Sequence, residues 1–172
     1  MRLQVGTSMI VYHGTNVNFE RIDLRKSRNN RDFGKGFYTT SLFEQAVRWA
    51  ENQFLRYGGG GCFVKYYDFS ASELLNVKKF DKMDGEWLDF VRTCRIQGGI
   101  PHDYDIVVGP VANDNTMRTI ALYIAGIYTT NQAIDQLRFF RANNQISFHT
   151  EAALHCLQFL ETKESSDANL LL

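Results

Sequence analysis

DFGKGFYTTSLFEQAVRWAENQF, residues Asp32–Phe54, is the stretch on which the fold turns. Gly34 and Gly36 bracket Lys35, and two glycines so placed permit a tight or left-handed turn. Gly36–Thr40 then reads as a short strand rich in aromatic and β-branched residues. Ser41 with Glu44 has the S-x-x-E spacing of a capping box. Phe43, Ala46, Val47, Ala50 and Phe54 fall on one helical face behind it. A turn, a strand and an amphipathic helix therefore follow one another within this segment, with bare backbone beside Tyr38.

Working outward, Met9–His13 (MIVYH) is an apolar strand ended by Gly14. Gly58–Gly61 is a flexible turn that follows a helix and lacks the Lys-Ser/Thr of a phosphate-binding loop. Cys62–Phe69, Leu74–Phe80, Tyr104–Val111 and Gln145–His149 read as strands, the last with Ile146 and Phe148 on one face. Asp84–Arg95, Asn115–Ile127 and Asn131–Arg141 carry helical spacing. Thr150 is expected to cap a final helix running through Phe159. The order is not a regular βαβ alternation, so the class is α+β with short strands. Residues 1–162 are expected to form a single domain with helical insertions near 84–100 and 115–141, followed by a frayed tail at 163–172.

Composition limits the function. The chain has 172 residues, 44% hydrophobic and 22% charged, with Lys+Arg and Asp+Glu at 19 each. That balance suits a globular domain and does not impose a nucleic-acid surface, although a local patch remains open. Cys62, Cys94 and Cys156 are widely spaced, and no Cys/His cluster has metal-ligand spacing, so neither a disulfide framework nor a metal is expected. The start lacks an apolar signal core and no stretch approaches a membrane span, which points to a cytoplasmic protein without a membrane partner.

Several residues fit chemistry as well as packing. His13 at a strand end can direct an imidazole N–H at a ligand hydroxyl, and Gly14 lets a ligand approach the backbone; the same pair fits a core histidine beside a turn glycine. Tyr38 and Trp49 can form a slot for a flat aromatic ligand, or can both be core. The segment 21–35 holds Arg21, Arg25, Lys26, Arg28, Arg31 and Lys35 against Asp23 and Asp32, which fits a pyrophosphate contact or a solvated loop. Gln145 opens the last strand. Glu151 suits the first turn of a helix through its dipole.

YHGT at Tyr12–Thr15 and DFGKGFYTT at Asp32–Thr40 resemble the first two signature segments of the ADP-ribosyltransferase superfamily, in its diphtheria-toxin-like and poly-ADP-ribose-polymerase-like branch. With QISFHTEAAL at Gln145–Leu154, nearly the whole chain is similar to a bacterial uncharacterised domain family assigned to that superfamily. The resemblance implies a split β-sandwich of short, mostly antiparallel strands flanked by helices, with a cleft that binds NAD as co-substrate. It implies His13, Tyr38 and Gln145 at the triad positions, Gln145 standing where the family norm is Glu. Gly14, Thr15, Gly36, Trp49 and Arg31 would contact NAD: Gly14 the nicotinamide amide, Thr15 a ribose, Trp49 the second face of the ring. Ala46 stands where that branch has a serine for the carboxamide. Loss of the acid implies mono- rather than poly-transfer, or a weak NAD-binding module or glycohydrolase. The target would be a protein or nucleic acid, and proteins of this kind are often toxins paired with an antitoxin.

Overall fold

The computed structural model describes residues 8–111, 114–138 and 143–164. Among the described residues, seven strands form two sheets. β1 (Ser8–Thr15), β3 (Phe63–Ser70) and β7 (Leu157–Glu164) make an antiparallel three-stranded sheet in the order β1-β3-β7. β2 (Phe37–Thr39), β6 (Asn144–Phe148), β5 (Ile106–Pro110) and β4 (Val77–Lys79) make the second, in the order β2-β6-β5-β4, with only the β4–β5 pair parallel. Five helices accompany them: α1 (Phe43–Tyr57), α2 (Gly85–Gln97), α3 (Asp114–Ile124), α4 (Thr130–Leu137) and the single turn α5 (Glu151–Leu154).

Strand alternation divides the core. Val11, Phe37, Tyr67, Phe69, Ile106, Val108, Ile146 and Phe148 meet in one apolar cluster. On the opposite face of the second sheet, Tyr38 and Val107 join Phe33 from the turn before β2, Phe80 just after β4, and Trp87, Leu88, Val91, Ile120, Ala133 and Leu137 from α2–α4. β5 is buried along its whole length because both faces are covered. The α2–α4 residues expected as insertions thus supply six of the ten buried residues of that second cluster.

Besides packing through that first cluster, the two sheets are joined by a backbone bridge. Tyr12 N donates to Thr40 O at 2.8 Å and Thr40 N to Tyr12 O at 2.9 Å. Beyond it β1 and β2 part. Backbone groups alternate sides along a strand, so Gly14, two residues on, also turns its N–H and C=O away from β3 and toward the opening. α1 lies against this strand through Ala46 and Val47, which pack with Val64 beside Tyr12 and Tyr66, and through Ala50, buried beside Gly14.

Three expectations about element bounds change. Leu74–Phe80 yields only β4, and Leu74 is 94% exposed, because this edge strand pairs on one side only and begins where its parallel partner β5 begins, Val77 beside Ile106. The helix after Thr150 is one turn long: Thr150 Oγ1 accepts from Ala153 N at 3.2 Å, but the chain then leaves as β7 to cover the open edge of β3, with Phe159 against Tyr67. Lys163 and Glu164, expected in the tail, belong to that strand. Ser41 does not cap α1. Leu42 is the N-cap and makes no side-chain cap bond, while Thr40 Oγ1 accepts from Leu42 N. The capping box that does form is Thr129 with Gln132, ahead of α4. Residues 139–141 of the expected fourth helix and 165–172 of the expected tail lie outside the described residues.

A methyl group on Gly14 would stand 1.9 Å from the Ala46 carbonyl oxygen. Gly14→Ala must therefore push α1 off β1 and is expected to cost roughly 3 kcal/mol of stability. An unchanged urea midpoint would show that α1 does not rest on Gly14.

Candidate functional site

A cleft of about 480 Å³ opens where the sheets part. That volume lies within the usual range for small-molecule sites. Strands, the 28–32 loop and one stripe of α1 line it. The α1 stripe runs from Gln45 through Trp49 and Gln53 to Tyr57. Spacing of four residues puts these on one side of the helix over roughly 18 Å. This stripe lies beside the apolar face that packs on β1, so α1 serves core and cleft at once.

The cleft brings together His13, Gly14, Arg31, Tyr38, Trp49 and Gln145. Thr15 and Gly36 are elsewhere. Thr15 Oγ1 is turned into its own loop, accepting from Val17 N at 3.2 Å, so it is spent on the turn after β1. Gly36 is needed for packing: a Cβ there would lie 2.7 Å from His149 Nδ1 and 2.8 Å from Phe148 O. Glu151, a conceivable substitute acid, sits with Arg21, Arg25 and Lys26 at a separate shallow depression. The basic segment is thus divided, with Arg28 and Arg31 in the cleft, Arg21, Arg25 and Lys26 at the second depression, and Lys35 lining neither.

Residues Phe33–Tyr38 are held by three of the four histidines. His13 Nδ1 donates to Tyr38 O at 2.7 Å, His102 Nε2 to Phe33 O at 2.9 Å, and His149 Nδ1 to Lys35 O at 2.9 Å. The Tyr38 hydroxyl closes the same turn, donating to Gly34 O at 2.6 Å and accepting from Phe33 N at 3.1 Å. Burial raises that phenol well above its ordinary range, which leaves the aromatic face as what Tyr38 offers a ligand. With Nδ1–H committed to a carbonyl, His13 keeps Nε2 as a hydrogen-bond acceptor. It therefore meets a ligand hydroxyl as an acceptor, the reverse of a donating imidazole.

Trp49 is half-buried and lines the cleft one helical turn from Gln45 and Gln53. Gln53 Nε2 donates to Gly14 O at 3.1 Å, so a side-chain carboxamide already occupies the backbone group expected to hold one. Arg31 places its guanidinium 5.9 Å from the Tyr38 ring centroid, and Arg28 lies 3.9 Å over Tyr57 at the far end. Five arginines (Arg28, Arg31, Arg48, Arg56, Arg95) line the cleft against one carboxylate, Asp32. The cleft is therefore cationic although the chain is neutral. Asp32, Arg95 and Gln45 escaped the sequence reading. Gln45 is 3% exposed; its Nε2 donates to Asn144 O, and its Oε1 is buried without a partner. No spacing rule links residues so far apart in the chain. Among the described residues, no three His, Cys, Asp or Glu side chains converge as a metal site would, and no helix is long and apolar enough to cross a membrane.

Desolvation lowers His13 to about 4, with Lys65 and Arg31 acting in the same direction, and lowers His149 to about 4 as well. Both rings are neutral in the folded chain near neutrality. The unfolded chain binds more protons below the ordinary value of 6.5, so stability falls with acid from there down to about 4. The melting temperature should be level above about pH 7 and drop steeply below it, with His149→Gln flattening the drop. A melting temperature that rises on acidification would contradict neutral, buried rings.

A family model described as "Protein of unknown function (DUF3990)" matches residues 9–159. No curated protein and no solved structure matches the chain.

Proposed function

We propose that this chain, which belongs to the DUF3990 family of proteins of unknown function, binds NAD in the cleft between its sheets and transfers single ADP-ribose units to a macromolecule. The observation that carries the reading is the convergence of His13, Gly14, Tyr38, Trp49 and Gln145, from three strands and one helix, on a single cationic cleft. The two sheets parting beyond the Tyr12–Thr40 bridge agree with the split sandwich that the sequence resemblance implies.

Each residue has a task that the chemistry needs. The Gly14 peptide offers a donor and an acceptor side by side, the complement of a primary carboxamide. Tyr38 and Trp49 supply aromatic surface for a flat ring. His13 Nε2 and Gln145 Oε1 are acceptors for ribose hydroxyls. The arginines suit a pyrophosphate, and exposed Arg31 is free to turn from the Tyr38 ring toward a phosphate oxygen. Cleaving the bond between the sugar and a pyridinium builds positive charge on the sugar carbon, as in glycoside hydrolysis. The ring leaves neutral, so no general acid is required. The chain contributes orientation of the ribose and hydrogen bonds that strengthen as that charge develops.

Two observations favour a weaker variant of this reading. Gln145 brings no charge of its own, and Gln53 must give up the Gly14 carbonyl before a ligand takes it. Both slow turnover, as expected of an NAD-binding module or a slow glycohydrolase.

Titration calorimetry should show NAD binding, and Trp49→Ala should weaken it at least about tenfold, the order of one lost stacking contact. Trp49 is half-buried and outside the apolar clusters, so the variant should stay folded. With labelled NAD and a lysate, transfer to a macromolecule that His13→Ala abolishes supports the transferase. Release of nicotinamide without transfer supports the glycohydrolase, and binding without release the module. Absence of any NAD-dependent rise in melting temperature would remove all three.

A further inference from the structure

Gln145 occupies the position where the resemblance calls for an acid, and its amide is not free to turn. Nε2 donates to Asp32 Oδ2 at 3.1 Å and to Pro110 O at 3.3 Å. Both partners only accept, so the amide orientation is fixed and Oε1 is the atom left to meet a ligand. Asp32 is fixed in turn. Arg95, in the last turn of α2, donates Nε to Asp32 Oδ1 at 2.9 Å and pairs with the same oxygen through its terminal nitrogen. Asp32 is 7% exposed, and it is the carboxylate of the cleft lining. A chain of polar contacts thus runs from α2 through the 28–32 loop to the start of β6.

We propose that Asp32 is the positioning residue of this site: it carries the negative charge that β6 lacks, one hydrogen bond behind Gln145, and by accepting from Nε2 it presents Gln145 Oε1 to a ribose hydroxyl. The identity of that ligand rests on the NAD reading; the hydrogen-bond polarity does not. Charge and acceptor, which a single glutamate would combine, are shared here between two residues. Restoring glutamate at position 145 then fails while Asp32 is present, because two carboxylates replace a donor and an acceptor.

The test is a double-mutant cycle in the full chain, comparing wild type, Asp32→Asn, Gln145→Glu and the double variant. Melting is followed without ligand at about pH 5 and about pH 8. Gln145→Glu should melt below wild type, by a margin that widens with pH. The folded carboxylate pair holds a proton that the unfolded chain releases, so stability is lost as pH rises. In the double variant, the amide introduced at position 32 still accepts from Arg95 through its oxygen. Its nitrogen donates to the carboxylate introduced at position 145, so the deficit should narrow; the Pro110 carbonyl keeps its bond from Trp87 Nε1 but not the one from position 145. Asp32→Asn alone opposes two donors or flips the Gln145 amide. NAD affinity should fall at least about tenfold, since a buried polar group then faces the wrong partner. Nicotinamide release by the double variant should exceed that of either single variant at least about tenfold.

A merely structural Asp32 couples to Gln145 in melting alone, while losses in NAD affinity and nicotinamide release add and the double variant releases least; that result overturns the proposal. Compensation in melting with no NAD binding by any variant upholds the Asp32–Gln145 coupling and removes the NAD reading. NAD binding with additive melting losses keeps the NAD reading and removes the role of Asp32.

Discussion

Three imidazoles anchoring the backbone of Phe33–Tyr38 are the constraint on which the rest depends. β2 is only three residues long and pairs with β6 alone, apart from the Tyr12–Thr40 bridge. A ladder that short does not hold a glycine-containing turn in one shape. His13 from β1, His102 from the loop before β5 and His149 from the end of β6 each take one carbonyl of the segment. They fix Asp32 at one end and Tyr38 at the other, both facing the cleft. The clamps hold in the neutral state, and burial keeps His13 and His149 in that state.

The opening between the sheets follows from the same arrangement. Tyr12 and Thr40 join β1 to β2 once, and beyond that bridge the Gly14 peptide has no strand partner on that side. Glycine is required there because α1 lies too close for any side chain. Close approach of the helix brings the stripe from Gln45 to Tyr57 to the opening, and with it Trp49 and two of the arginines. Packing and site formation are consequences of one contact, and the concentration of positive charge needs no excess in the chain as a whole.

Much of this was legible in the sequence because it is local. The apolar run ending at His13, the short strand through Tyr38 and the face of α1 show their periods within a few residues. The start of β6 at Gln145 is legible for the same reason. β7 was not, because Leu157–Phe159 alternates too briefly to be told from the end of a helix, and what makes it a strand is the exposed edge of β3. Thr15 and Gly36 were expected at the ligand because residue type tells what a side chain is able to do and not which way it faces. Asp32 was hidden in a charge cluster, since its significance comes from Arg95 on a later helix and Gln145 on a later strand.

The most direct measurement is a crystal structure of the protein soaked with a non-hydrolysable NAD analogue. The expected result is a nicotinamide ring against Tyr38 and Trp49, its carboxamide on the Gly14 peptide with the Gln53 amide displaced, and the pyrophosphate among the cleft arginines. An analogue bound outside this cleft, or a cleft that remains empty of it at saturating concentration, would contradict NAD binding between the sheets.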